Sequence, residues 1–239
     1  MDVSRRQFLA GSLGGLALTA VGCNEAVKTT GGLPMIWPDV AEPPVPRGEG
    51  STTGYRPDAP GAPHVTVDGV LGRVLSRSKW TQAKAIRSRI RRMGGIERIT
   101  IHHEGMEDAV WFSDEARVRD RLELVRRSHV GRGFADLGYH YVIDRAGRIW
   151  EGRSLSYQGA HVKHQNPHNI GVMVMGNFEL QSPTQPQLVT LTGAVRELRA
   201  KYRVPRRSVF THRELGPTTC PGKRLQTNVV ALRRAKQFA

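Results

Sequence analysis

Three residues of this chain have types and spacing that could hold a metal ion. His102 closes the alternating run Ile99-Thr100-Ile101-His102, and His212 follows a second strand-like run, Ser208-Val209-Phe210-Thr211. Cys220 comes next, beyond the turn-rich Leu215-Gly216-Pro217-Thr218-Thr219. Two imidazoles and a thiolate form a zinc donor set with a fourth position open for water. Zinc held in this way lowers the pKa of a bound water to ~7 and polarises a carbonyl, which is chemistry for hydrolysing an unreactive bond. Spacing alone does not select this triple. The chain has nine histidines, which offer many such triples, and a buried free Cys is more often inert packing. Cysteine arithmetic favours coordination. The only other Cys in the sequence, Cys23, lies near the N-terminus, so Cys220 has no partner for a disulfide within the folded part. A free thiol in an oxidising compartment is a liability that coordination removes.

These residues need a frame. In residues 99–102, Ile99 and Ile101 face one side, and Thr100 and His102 the other. His103 then points away from His102 and is expected to bond within the core. Tyr139-His140-Tyr141-Val142-Ile143-Asp144 reads as a second strand. The turn Asp144-Arg145-Ala146-Gly147 folds it back onto Arg148-Ile149-Trp150-Glu151 as a hairpin. Residues 170–175 are a continuous apolar run, as in a central strand covered on both faces. Helices are predicted over 81–92, which lacks Gly and Pro; over 114–128, with Val118, Leu122 and Val125 in step; over 185–202; and over 224–238. In the third, Leu188, Leu191, Val195, Leu198 and Tyr202 make one stripe, and Thr184 with Gln187 forms a capping box. Strands interleaved with helices predict a single α/β domain with a central mixed β-sheet flanked by helices.

Composition agrees with a packed domain and adds an address. The 239 residues are 38% hydrophobic and 24% charged, as in globular proteins. Two cysteines exclude a disulfide scaffold, and no second apolar run reaches the ~18 residues of a membrane span. The net charge of +15 is uneven. Residues 1–71 hold five Lys/Arg against seven Asp/Glu, leaving 31 against 14 for residues 72–239. Such a basic domain attracts polyanions: nucleic acid, anionic wall polymer or anionic lipid. Ser4-Arg5-Arg6-Gln7-Phe8-Leu9 precedes a short apolar stretch and resembles a twin-arginine export signal. Ala20-Val21-Gly22-Cys23 resembles a lipobox, whose lipidated Cys23 would tether the protein to a membrane surface. Ala20-x-Gly22 equally suits an ordinary signal peptidase. Residues 24–71 are rich in Pro and Gly and read as a semi-extended spacer. The expected organisation is an export signal over 1–23, a linker over 24–71 and a folded domain over 72–239, acting in the periplasm or cell envelope.

An ordered series of motifs in that domain resembles the zinc-dependent N-acetylmuramoyl-L-alanine amidases of the peptidoglycan-recognition-protein and phage amidase-lysozyme family. The series opens with Ser76-Arg77-Ser78-Lys79-Trp80 and Ile99-Thr100-Ile101-His102-His103. Gly138-Tyr139-His140-Tyr141-Val142-Ile143 follows, then Gly147-Arg148-Ile149-Trp150-Glu151-Gly152-Arg153. Gly159-Ala160-His161, Asn169-Ile170-Gly171-Val172, Gly176-Asn177-Phe178, His212-Arg213-Glu214 and Cys220-Pro221-Gly222 complete it. The resemblance covers about residues 72–230. It implies one Zn2+ per domain on His102, His212 and Cys220, with Tyr139 and Thr218 as catalytic groups and His161 and Asn169 lining the substrate cleft. The implied partner is peptidoglycan or a muropeptide; export and the lack of a nucleic-acid motif argue against nucleic acid. The alternative is a non-catalytic peptidoglycan-binding module, although members of that kind characteristically lack the Cys ligand that this chain keeps. One departure is Glu104, where the family commonly has Thr or Ser; it is expected to point to solvent.

Overall fold

The computed structural model describes residues 69–239. The expected frame is present. Strands β1 (Arg98–His103), β2 (Tyr141–Ile143), β3 (Ile149–Glu151), β4 (Asn169–Val174) and β5 (Val209–Thr211) form one sheet in the order β3-β2-β4-β1-β5. β2, β4, β1 and β5 run parallel, and β3 is antiparallel to β2 through the expected hairpin, with Val142 opposite Trp150. β4 is buried along its whole length, as its unbroken apolar run requires. Tyr139 and His140 precede β2 rather than lying within it.

Helix α1 (Glu115–Gly131) covers one face of the sheet, and α2 (Gln185–Tyr202) and α3 (Lys223–Arg234) the other. Val118, Leu122 and Val125 of α1 pack with Val142, Trp150, Met173 and Met175. On the opposite face, Leu188, Leu191, Val195 and Leu198 of α2 and Leu225, Val229 and Leu232 of α3 meet Ile99, Ile101, Ile170 and Val172. Asp114 caps α1 through the Arg117 N–H, and the capping box of Thr184 and Gln187 starts α2. Val70 already packs in the core, and its N–H donates to Glu197 of α2 at 2.6 Å. No helix among the described residues is long and apolar enough to cross a membrane.

Residues 81–92 do not form the predicted helix. They make a strap with a single 3-10 turn, Arg87–Arg89. The strap's backbone is satisfied from outside itself: Ile86 N–H donates to Ala135 O, and Gln158 N–H to Arg91 O, each at 2.8 Å. Lys84, Arg87, Arg89, Arg91 and Arg92 all face solvent. Ala83, Ile86 and Ile90 stand at helical spacing, but three apolar side chains, one of them small, do not force a helix, and tertiary backbone bonds replace the helical ones.

Candidate metal centre

The site lies at the carboxyl ends of the parallel strands, the usual position for a ligand crevice in an α/β sheet. His102 is the penultimate residue of β1 and is fully buried. It stands opposite Met173 in register and so looks toward the α1 side of the sheet. His212 begins a 3-10 turn immediately after β5. The Cys220 backbone is tied to that turn, because Arg213 N–H donates to Cys220 O at 2.9 Å. One ligand atom from each of His102, His212 and Cys220 comes within 4.8 Å of the other two. The Nδ1 atom of His102 lies 3.6 Å from Cys220 Sγ, and the His102 and His212 rings are 4.7 Å apart between centroids.

The donor chemistry suits a metal. Burial holds His102 well below the usual imidazole range and lowers His212, so both keep a lone pair at neutral pH. Burial pushes the Cys220 thiol up to about 12, while the His103 N–H, at 3.4 Å from Sγ, and the Arg213 charge favour the thiolate. Coordination is the ordinary way to hold such a buried sulfur as an anion. Two His, one Cys and no carboxylate in the cluster are the donors of a zinc site with an open position.

Behind His102 lies a relay that sets its tautomer. The Asn169 carbonyl can only accept, so His161 Nε2, at 3.1 Å, must carry a proton. Burial keeps His161 neutral, and its Nδ1 is then an acceptor. His102 Nε2 lies 3.0 Å from that atom and must donate. The remaining nitrogen of His102, Nδ1, is left with its lone pair toward Cys220. Carbonyl–His–His ordering of this kind orients a ligand ring and fixes which nitrogen is free. The Asn169 side chain is also spent, accepting from Thr100 Oγ1 at 2.9 Å and donating to Gln165 O at 2.9 Å. Two glycines make room for the His161 ring. A Cβ on Gly171, in the middle of β4, would sit 2.7 Å from His161 Cδ2, and one on Gly159 would collide with the same atom. His161, which the resemblance puts in the substrate cleft, therefore has its ring nitrogens on His102 and the Asn169 carbonyl, and the Asn169 side chain is bonded to Thr100 of β1 and to Gln165.

Tyr139 adjoins the cluster, its ring centroid 5.1 Å from that of His102. Burial holds its phenol above the ordinary range, so it stays protonated. Its hydroxyl has no hydrogen-bond partner among the described residues. Thr218 Oγ1 accepts the Cys220 N–H at 3.1 Å, which leaves its own hydroxyl proton to donate. His103 bonds in the core as expected, its Nδ1 accepting from Phe178 N at 3.3 Å.

Glu104 departs from expectation. Its side chain is 1% exposed and pairs with Arg121 of α1, itself 6% exposed. Its second oxygen, Oε2, has no partner. Burial raises the Glu104 pKa against the opposing pull of Arg121. The partner is 17 residues away on another element, so nothing local in the sequence marks this carboxylate as buried.

Residues 92–223 match the Amidase_2 family, described as N-acetylmuramoyl-L-alanine amidase. Peptidoglycan-recognition protein LB of Drosophila melanogaster is 30% identical over 160 residues, covering 66% of this chain and 68% of its own. The endolysin of Enterobacteria phage K11 is 33% identical over 107 residues, 43% of this chain and 70% of its own. A solved Drosophila PGRP-LB variant in complex with tracheal cytotoxin superposes with a TM-score of 0.57 at 25% identity, covering 66% of this chain and 93% of that one. The sheet order, the His/His/Cys cluster and these matches agree: the chain belongs to the N-acetylmuramoyl-L-alanine amidase family, Amidase_2.

Proposed function

We propose that this protein is a zinc-dependent N-acetylmuramoyl-L-alanine amidase, acting on peptidoglycan or its soluble fragments. The observation that carries the reading is the convergence of His102, His212 and Cys220 to within 4.8 Å, beside a protonated Tyr139. Those three side chains would hold the zinc. When bound there, it supplies Lewis acidity toward the carbonyl and activation of water at neutral pH. In the net reaction water adds to the lactyl carbonyl carbon and the C–N bond to L-alanine breaks. The lactyl group is left as a carboxylate, and the alanine nitrogen departs as an ammonium that carries both protons of the water.

The chain's own groups serve the charge that develops. The carbonyl oxygen becomes an oxyanion, and the Tyr139 and Thr218 hydroxyls are its donors. Burial keeps Tyr139 a donor rather than a base. His161 and the Asn169 carbonyl hold His102 in the tautomer that presents Nδ1. By this reading the protein works outside the cytoplasm. Residues 1–23 would be its export signal and residues 24–68 its spacer, with Cys23 as the site of a lipid tether, all outside the described residues; Val70 and Leu71, which the sequence pattern gives to the spacer, donate their N–H groups to Glu197 of α2 and belong to the domain.

The test is release of stem peptide from purified peptidoglycan by the full chain, with metal analysis of the same sample and a Cys220→Ala control. One zinc per chain, with release abolished by chelator and by the substitution, is the expected result. Wall binding with neither zinc nor release would overturn the enzyme reading in favour of a recognition module.

A further inference from the structure

The first stretch of the domain is cationic without compensation. Residues 71–96 hold eight Lys/Arg and no Asp or Glu. Five of the eight, Lys84, Arg87, Arg89, Arg91 and Arg92, fall within nine residues of the strap, and all five are exposed. None of the five pairs with a carboxylate among the described residues. Helix α1 is the internal comparison. It too is rich in arginine, yet Arg117, Arg119, Arg121, Arg126 and Arg127 each meet an Asp or Glu within 4.0 Å. The fold thus neutralises the arginines of α1 and leaves the cations of the strap to solvent. The strap also holds its charges on a fixed backbone. Ile86 N–H donates to Ala135 O at 2.8 Å, Met93 N–H to Ser156 O at 3.0 Å, Gln158 N–H to Arg91 O at 2.8 Å and Gln158 Nε2 to Arg92 O at 3.0 Å. Met93, at the end of the row, is buried. A partner that meets this row orders little backbone in doing so.

Residue types and shape select the partner. Four of the five cations are Arg, whose planar fork matches phosphate oxygens and stays charged at any working pH. Residues 81–92 contain no aromatic side chain on which a nucleic-acid base could stack. The strap's only regular piece is the single turn Arg87–Arg89, so it offers no helix or ribbon to enter the groove of a duplex. A row of exposed cations held against the body of a domain suits a sheet of phosphates instead. At an anionic lipid surface a cluster of about four to eight Lys/Arg is a sufficient patch, and each adds about fivefold to binding. The sequence offers a complementary signal in Cys23, the residue at the resemblance to a lipobox. One lipid chain alone binds marginally, and a polybasic patch is a common second signal.

We infer that the strap from Lys84 to Arg92 is a docking surface for anionic phospholipid headgroups, which holds the domain against a membrane. The inference needs neither turnover nor a lipid on Cys23. The test is co-sedimentation of the full chain with vesicles of phosphatidylcholine alone and of phosphatidylcholine with phosphatidylglycerol in equal parts. The ratio between the two cancels any apolar binding by the N-terminal segment. Three strap cations seated together give an expected preference for the anionic vesicles of about 100-fold at low salt, lost as salt rises. Lys84→Gln/Arg87→Gln/Arg89→Gln/Arg91→Gln/Arg92→Gln should lose that preference, and Arg87→Lys/Arg89→Lys/Arg91→Lys/Arg92→Lys should keep most of it, with thermal melts confirming that both variants fold. Equal partition of the parent chain between the two vesicles overturns the inference, as does a preference that survives the Gln substitutions. Loss in the Lys variant as complete as in the Gln variant would show that guanidinium geometry rather than surface charge is read, and overturns it too. Displacement from the anionic vesicles by duplex DNA at equal phosphate would move the partner to nucleic acid and likewise overturn it. Failure of the amidase reading would show separately, as absence of peptide release from intact peptidoglycan.

Discussion

The relay behind His102 makes a prediction that does not depend on turnover. Replacing His161 with Leu keeps apolar volume but removes both ring nitrogens. The His102 Nε2 proton loses its acceptor at 3.0 Å, and the Asn169 carbonyl loses its donor at 3.1 Å, both in a fully buried setting. Leaving a buried polar group unpaired costs about 1–3 kcal/mol. For the metal the relevant part is the His102 tautomer. Without its acceptor the proton is free to move to Nδ1, and zinc must then displace it. Removing such a supporting partner typically lowers metal affinity about 10–100-fold, which corresponds to about 1.4–2.8 kcal/mol. The Asn variant is the control, because Asn Oδ1 sits near the position of His Nδ1 and still accepts from His102. Zinc affinity measured against a chromophoric chelator should fall in His161→Leu and recover for the most part in His161→Asn. The visible spectrum of the Co2+ form should shift only in the Leu variant. Parent-like zinc affinity in His161→Leu would refute the relay. So would equal loss in both variants at equal thermal stability, since only the acceptor at the Nδ1 position separates them.

Other consequences follow from the same geometry. Tyr139→Phe should keep one zinc per chain but lose about 10²–10³ in kcat, the usual effect of one oxyanion donor; unchanged kcat would remove Tyr139 from the chemistry. Thr218→Val should lower kcat while also freeing the Cys220 N–H, so a small loss of zinc affinity is expected in the same titration. His129 and His140 are buried outside the metal cluster, and burial lowers them to about 3 and about 4. Their folded pKa values lie below the unfolded ~6.5, so they contribute stability above pH 6.5 that is lost as pH falls toward 4. Between pH 7.5 and 5 each should cost about 2 kcal/mol. Urea unfolding at the two pH values, repeated on His129→Gln, should show a smaller pH effect in the variant. Arg121→Met strands the Glu104 carboxylate and should destabilise the fold by about 3–5 kcal/mol, with Glu104→Leu/Arg121→Met recovering most of that in thermal or urea melts.

What the sequence disclosed and what it hid follow a physical division. Periodicity reports which side of an element faces the core, so β1, β4 and α2 were legible from Ile99, Ile101, the run 170–175 and the Leu188–Leu198 stripe. Caps are local, and Thr184 with Gln187 announced the start of α2 within four residues. The strap over 81–92 was misread because absence of Gly and Pro permits a helix without requiring one; its backbone partners, Ala135 and Gln158, lie at least 49 residues away. The same distance hid the burial of Glu104. The metal triple was visible as residue types, and the resemblance singled it out, yet the role of His161 was not visible at all. Its ordering depends on Asn169 and His102, and on two glycines at positions where any side chain would strike its ring. Gly171 is the telling case. Glycine in a strand interior weakens the strand by lost packing and added chain entropy, and β4 accepts that cost at its centre. The void so created is filled by an imidazole that contributes no apolar packing of its own and makes two directed bonds. A glycine inside an otherwise unbroken Ile-x-Val-Met-Val run was therefore the one sequence signal that something polar had to pass close to the sheet. In Gly171→Ala the Cβ would displace the His161 ring while His161 itself stays intact. Zinc affinity in that variant should thus fall as it does in His161→Leu, and a parent-like affinity would mean that His102 is positioned without its neighbour.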